Sequence, residues 1–218
     1  MSEEPTDLHE RLIANDRTAL SILFDMHRER LWKIVHFRMD VRMAGRLDPD
    51  DILQDAFLEA CKRLHHYSAE NQFSPFVWLR MMVRQTLIDS HRRHVQTKQR
   101  DATKEVSGPV GGFPQATSVS LADFLSASVT TPSQSMAKSE RNSQLQQAIQ
   151  TMAPIDQEIL ALRHFEELTN KEIAEVLGIE QKAASIRYVR AVARLKAVLA
   201  NIPDFHDWLP TYSHESKS

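Results

Sequence analysis

Four carboxylates crowd one short stretch: Asp48, Asp50, Asp51 and Asp55. Such a cluster can hold Mg²⁺ for phosphodiester hydrolysis. A helix start accounts for the first three more simply. Asp48 can cap, Pro49 fits the first helical position, and Asp50 and Asp51 sit where the helix dipole favours negative charge. The chain pairs no nucleophile with a base and has no glycine-rich phosphate loop. His65-His66, and His91-x-x-His94 with Asp89, suggest a metal site. No cysteine supports it, and Arg92 and Arg93 beside the second pair would repel a cation. Cys61 is the single cysteine, so a disulfide framework and a cysteine zinc site are excluded within the chain. It lies near the apolar side of its helix and reads as a buried, inert thiol. The expectation is therefore no catalytic residue, no cofactor and no metal.

Other residues suit binding. Tyr67 and Phe73 stand in a polar loop, His65 to Ser74, and are candidates for stacking on unpaired bases, worth about 1–3 kcal/mol per base. Phe76 and Trp78 read as core. Arg80 and Arg84 share a helix face, and His91, Arg92, Arg93 and His94 give the same helix a basic end. A second basic face runs through Lys182, Arg187, Arg190, Arg194 and Lys196, with no acid after Glu180 in that helix. One sign of charge persists there for about five turns, more than a solvated face requires.

Helices must position these groups. Ile52, Leu53, Ala56, Phe57, Ala60 and Leu64 recur at helical spacing behind the Asp48 cap. Ser74-Pro75 restarts a helix, with Phe76, Leu79, Val83 and Leu87 as its stripe. Upstream, a helical pattern runs from Asp7 to about Met43 with a break and cap at Asn15-Asp16, and Leu20, Leu23, Phe24, Leu31, Ile34 and Val35 form its stripe. Trp32 and Phe37 lie off that stripe. Downstream, Pro154 opens a helix, Glu166-Glu167-Leu168 is a turn, and Thr169 with Glu172 is a capping box. Gly178 suits a left-handed C-cap between a short helix and a longer one ending near Leu199. That is helix-turn-helix spacing, whose second helix enters a major groove. Alternating β-branched runs are missing, so the chain reads as all-α.

Two small helical domains follow, at residues 7–95 and 140–201, joined by a flexible polar linker over 96–139 and ended by a tail over 202–218. Within the linker, Val119 to Leu125 (VSLADFL) is apolar enough to dock. Net charge is −2, so nucleic-acid binding must rest on local patches. No long apolar run suggests a membrane span, and the polar, acidic start is unlike a signal peptide, so a cytoplasmic protein is expected.

With both halves in view, the chain resembles a bacterial sigma factor of the sigma-70 family, in the extracytoplasmic-function group. DPDDILQDAFLEACKRL is similar to the family's most recognisable segment. FSPFVWLRMMVRQTLIDSHRR is similar to its Trp-Leu helix with a basic end, and LQQAIQTMAPIDQEILALRHFEELTNKEIAEVLGIE to its second conserved domain. The resemblance implies a non-catalytic subunit that binds core RNA polymerase and directs promoter recognition, DNA melting and transcription initiation. It implies that Asp51, Leu53, Gln54, Asp55 and Phe57 dock on the β′ clamp helices. It places Tyr67, Asn71, Phe73, Arg80, Arg84, Arg92 and Arg93 on the −10 element and the melted strand. The second domain, which in the family meets the β flap, would read the −35 element through Gln181, Lys182, Ser185, Arg187 and Arg190. An anti-sigma factor is a further partner that the resemblance admits.

This chain departs from the family at three places, one of them a tail after Pro203 longer than the minimal family plan. Lys182-Ala183-Ala184 stands where Gly-Thr-Val is common, and Gln85 where Asn is common, changes that bear on promoter preference and not on fold. Two other classes fit the residues alone. One is a helix-turn-helix transcription regulator that binds DNA without polymerase, and the other is a metal-dependent nuclease using the acidic cluster.

Overall fold

A computed structural model describes residues 6–39, 47–67, 73–99, 120–123, 135–200 and 202. The described residues form helices and turns, with no strand among them, as the sequence pattern predicts. In the first half, α1 spans Thr6–Ile13, α2 Arg17–Arg38, α3 Pro49–Arg63 and α4 Pro75–Gln99. In the second half, α5 spans Ser135–Gln150, α6 Pro154–His164, α7 Asn170–Leu177 and α8 Gln181–Leu199.

The helix ends follow local chemistry. Asn15 takes a left-handed φ of 62°, which breaks α1 from α2. Asp16 then caps α2, its carboxylate accepting from the Thr18 and Ala19 N–H groups at 2.8 and 3.3 Å. Asp48 accepts from Asp50 N–H at 2.9 Å, with Pro49 at the first helical position. The Thr169 capping box is complete: Glu172 N–H donates to the Thr169 hydroxyl at 3.2 Å, and Thr169 N–H to the Glu172 carboxylate at 2.7 Å. Gly178 ends α7 at φ 63°, ψ 39°, the left-handed geometry in which glycine carries no Cβ penalty.

Ends also depart from expectation. Helix α2 stops at Arg38, short of Met43, and residues 40–46 lie outside the described set. Helix α4 runs on to Gln99, past the linker boundary expected at residue 96. In the apolar island, residues 120–123 form a helical turn with Leu121 and Ala122 buried. The Ser120 hydroxyl donates to the Phe37 carbonyl at 2.9 Å, and the Asn142 amide to Asp123 at 2.8 Å. The turn therefore touches both halves. The rest of the expected linker and the tail from Pro203 lie outside the described residues.

Leu20, Leu23, Leu31, Ile34, Val35, Ile52, Leu53, Leu64, Phe76 and Leu79 are buried in the first half. Leu145, Ile149, Ile159, Leu160, Leu162, Ile173, Ala184, Ala191, Leu195 and Leu199 are buried in the second, and the two sets belong to one apolar cluster that spans both halves. Each half thus buries an apolar stripe of every helix, which is where most helical stability in a protein arises.

Candidate nucleic-acid interface

Helix α3 presents its acidic residues outward. Asp51, Gln54 and Asp55 are exposed, one turn apart on the same face. Leu53 is only 1% exposed and belongs to the core. Phe57 is half-buried, edge-on to Phe24 at 5.1 Å. The apolar group that this ridge does offer is Leu58, 50% exposed and three residues beyond Asp55. The sequence pattern gives it no role, because it lies one step off the apolar stripe of α3. Ion pairs flank the ridge, Arg28 to Asp50 at 2.7 Å and Arg93 to Asp55 at 3.7 Å.

The aromatic residues divide. Tyr67 was expected to show its ring, yet it is 2% exposed. Its hydroxyl meets His9 Nδ1 at 3.0 Å, and its ring packs near Trp78 at 5.2 Å. A 3-10 turn over Leu64–His66 swings it inward, with Tyr67 N–H donating to the Leu64 carbonyl. In this arrangement the ring is a core group and not a stacking platform. Phe73 is half-buried at the foot of α4. Asn71 lies outside the described residues. Phe76 and Trp78 are buried, as expected.

The arginines of α4 divide too. Arg84, Arg92 and Arg93 are exposed, and Arg93 also reaches the Ser90 hydroxyl at 3.0 Å. Arg80 is only 3% exposed. Its guanidinium holds the Glu166 carboxylate of the second half through Nε and, at 3.1 Å, through a terminal nitrogen. Arg38 grips the same carboxylate at 2.6 and 2.8 Å, and Glu158 at 2.6 and 2.8 Å. Arg30 reaches the Glu166 and Glu167 carbonyls at 3.0 and 2.8 Å and both Glu172 carboxylate oxygens at 3.2 and 3.1 Å, while lying 3.6 Å over the Phe76 ring. Lys33 pairs with Glu167 at 3.3 Å. Ser74 N–H, at the foot of α4, donates to Glu175 at 2.8 Å.

Glu166 is fully buried. Burial alone would raise its carboxyl, yet Arg38 and Arg80 outweigh that and hold it down at about 2. It is therefore ionised in the folded protein. Arg84, whose side chain is exposed but partly surrounded by protein, is pushed below its ordinary value first by that partial desolvation and next by Arg80 beside it. The sequence marked Glu166-Glu167 only as a turn and gave Arg30 and Arg38 no role. Pairing of residues about 130 positions apart leaves no periodic trace.

On the second half, Gln181, Lys182 and Arg190 are exposed along α8, and Ser185 and Arg187 are half-buried. The Ser185 hydroxyl donates to the Gln181 carbonyl at 3.1 Å. Ile186 and Val189 are exposed on the same outer side. Arg194 pairs with the buried Asp156 and so helps hold α8 on α6. Tyr188 faces His164, hydroxyl to Nε2 at 3.2 Å, where burial and then Arg163 depress the imidazole to about 4. Among the described residues no group of three or more histidine, cysteine or acidic side chains is arranged to hold a metal ion, and no helix is long and apolar enough to cross a membrane.

Comparison with known proteins gives a match to the sigma-70 region 2 model over residues 23–97 and to the sigma-70 region 4 model over residues 142–195. The chain is similar to the ECF RNA polymerase sigma factor SigW of Bacillus subtilis (strain 168), at 23% identity covering 86% of this chain and 92% of the relative. It is similar to the ECF RNA polymerase sigma factor BldN of Streptomyces coelicolor (strain ATCC BAA-471 / A3(2) / M145), at 23% identity covering 87% of this chain and 64% of the relative. RNA polymerase sigma factor YlaC of Bacillus subtilis (strain 168) is 25% identical over 79% of this chain and 88% of its own length. A solved structure of CnrH in complex with the cytosolic domain of CnrY aligns at TM-score 0.49 and 18% identity, over 88% of this chain and 95% of that one.

Proposed function

Because the chain belongs to the sigma-70 family of RNA polymerase sigma factors, in the extracytoplasmic-function group, it is a polymerase-binding, promoter-recognition subunit, and we propose which of its surfaces do that work. The observation that carries the reading is order. A region 2 match and then a region 4 match fall on the two helical bodies in turn.

The α3 ridge of Asp51, Gln54, Asp55 and Leu58 docks on the β′ clamp helices, acidic groups around an apolar anchor against a basic coiled coil. Leu53 and Phe57 support that ridge from beneath. Phe73, Asn71, Arg84, Arg92 and Arg93 serve the −10 element, the arginines on phosphates. Arg80 joins them only once Glu166 is withdrawn. Opening DNA requires no bond chemistry: flipped bases need pockets and stacking partners that offset lost pairing. The second domain meets the β flap and lays α8 in the major groove of the −35 element. There Gln181, Lys182, Ser185, Arg187 and Arg190 reach base edges and phosphates, the arginines suited to guanine. No residue is assigned a catalytic role. The place of action is the cytoplasm, where polymerase and DNA lie, and an anti-sigma factor is a fitting regulator.

Co-purification with core polymerase, followed by run-off transcription from promoter-library DNA, tests the reading. The wild-type protein should bind core and start transcripts at discrete sites, and Gln54→Ala with Asp55→Arg should abolish both. Discrete duplex-DNA binding without any affinity for polymerase would return the chain to the polymerase-independent regulator class.

A further inference from the structure

Helix α8 carries two apolar residues that its packing does not use. Ala184, Ala191, Leu195 and Leu199 face the core, and Tyr188, Val192 and Val198 pack against it. Ile186 and Val189 belong to neither set and are 43% and 64% exposed. One exposed apolar side chain needs no explanation. These two stand three residues apart and so share a face, and that face is the outer one. Lys182 lies one turn before Ile186 and Arg190 one turn after it, both exposed, and the helix holds no acid. β-Branched residues are also poorer helix formers than the alanine or lysine that an exposed site favours. The pair therefore adds nothing to the fold of its own domain.

We propose that Ile186 and Val189 are specificity-determining residues that read pyrimidine C5-methyl groups in the major groove, so that the −35 element carries thymine at two adjoining base pairs beneath the middle of α8. This rests on the promoter-binding reading and names what that helix selects. The thymine methyl is the apolar group on the major-groove edges, and the other groups that tell bases apart there are hydrogen-bond donors and acceptors. An isoleucine or valine laid on a donor or acceptor strips its water and supplies no hydrogen bond. Laid on a methyl, the same side chain removes apolar surface from water on both partners. Positions 186 and 189 are about 4.5 Å apart along the helix axis, and successive bases of a strand about 3.4 Å, so the two side chains meet neighbouring base pairs. Their χ1 angles are nearly fixed in a helix, so little side-chain freedom is lost on contact. Lys182 and Arg190 flank the pair with charge that suits phosphates, and such contacts hold a helix in register on the duplex.

The test uses holoenzyme reconstituted from core RNA polymerase and the full chain. Run-off transcription from templates randomised across the −35 window, with sequencing of the templates used, should return thymine at two adjoining base pairs. The best template is then made with deoxyuridine, which lacks only the methyl, at each of those thymines, and holoenzyme binding is titrated. Each substitution should weaken binding about fourfold, the loss expected for one buried carbon. Holoenzyme carrying Ile186→Ala with Val189→Ala should bind the parent template more weakly and be indifferent to deoxyuridine. Both sites are exposed and alanine is the better helix former, so this variant keeps its fold. In place of one such thymine–adenine pair, 5-methylcytosine–guanine should bind about fourfold tighter than cytosine–guanine, because it restores the methyl alone. A selected element without thymine overturns the proposal, as does deoxyuridine without effect on the wild-type holoenzyme. So does an equal deoxyuridine penalty in the alanine variant, or 5-methylcytosine no better than cytosine. Discrete transcripts beside any of these results sink the methyl contact alone. Absence of discrete transcripts sinks the promoter reading, and the methyl contact with it.

Discussion

The ring of Phe165 lies against that of Phe37, centroids 3.8 Å apart and planes 25° from parallel. One ring comes from the turn after α6 and the other from the last turn of α2. It is an apolar part of a contact that also carries the arginine–carboxylate pairs. Phe165→Ala should loosen the two halves without touching any carboxylate. A stacked aromatic pair contributes about 0.5–1.5 kcal/mol beyond its buried area. The larger radius of gyration, read by small-angle scattering, should be greatest at high salt and shrink at low salt, where the remaining charged contacts tighten.

Leu53 and Leu58 stand on one helix with opposite exposures. Leu53→Ala should destabilise the first domain by about 2–5 kcal/mol in urea unfolding, as buried leucines do. Leu58→Ala should leave unfolding within about 0.5 kcal/mol and weaken retention of core polymerase. Equal effects of both variants on polymerase binding at matched folded fractions would argue against the exposed ridge as the docking face.

Tyr67 gives a similar contrast. Tyr67→Ala should cost about 3–5 kcal/mol of stability, and Tyr67→Phe about 0.5–1.5 kcal/mol for the lost bond to His9. Permanganate footprinting of the open promoter should be unchanged by Tyr67→Phe. A melting defect in Tyr67→Phe at matched folded fraction would mean that the hydroxyl leaves His9 to meet the promoter DNA.

On α8, Arg190→Ala should cost about 1–3 kcal/mol at the preferred −35 sequence and relax preference at one base pair. Lys182→Ala should weaken all sequences alike and lower the salt slope by about one. Titrations at several salt concentrations separate the two behaviours.

His164 sets a pH dependence. Its folded value near 4 lies below the ordinary 6.5 because burial, and then Arg163, disfavour the charged form. Between those values the unfolded chain takes up a proton that the folded chain does not, so stability rises with pH through that window. Thermal melting should show the second domain weakening as pH falls from 6.5 toward 4. His164→Gln should flatten that slope.

Much of this was legible in the residues, and the reasons are local. Asp16, Asp48-Pro49, Thr169-Glu172 and Gly178 each fix a helix end through backbone groups within a few positions, so spacing alone reveals them. The outward basic face of α8 follows from periodicity in the same way. The sequence misplaces Tyr67 and gives Leu58 no role, because one turn of 3-10 helix, or one step around a helix, decides exposure, and composition does not record either. Arg80 was seen as a phosphate ligand, but its partner Glu166 is 86 positions away on another domain. No pattern within either segment announces that pairing.

The small turn at residues 120–123 bears on how far the two bodies can roam. Ser120 is fastened to the end of α2, and Asp123 to α5. Four residues thus bridge the two halves, and the halves cannot draw apart without breaking at least one of these two hydrogen bonds.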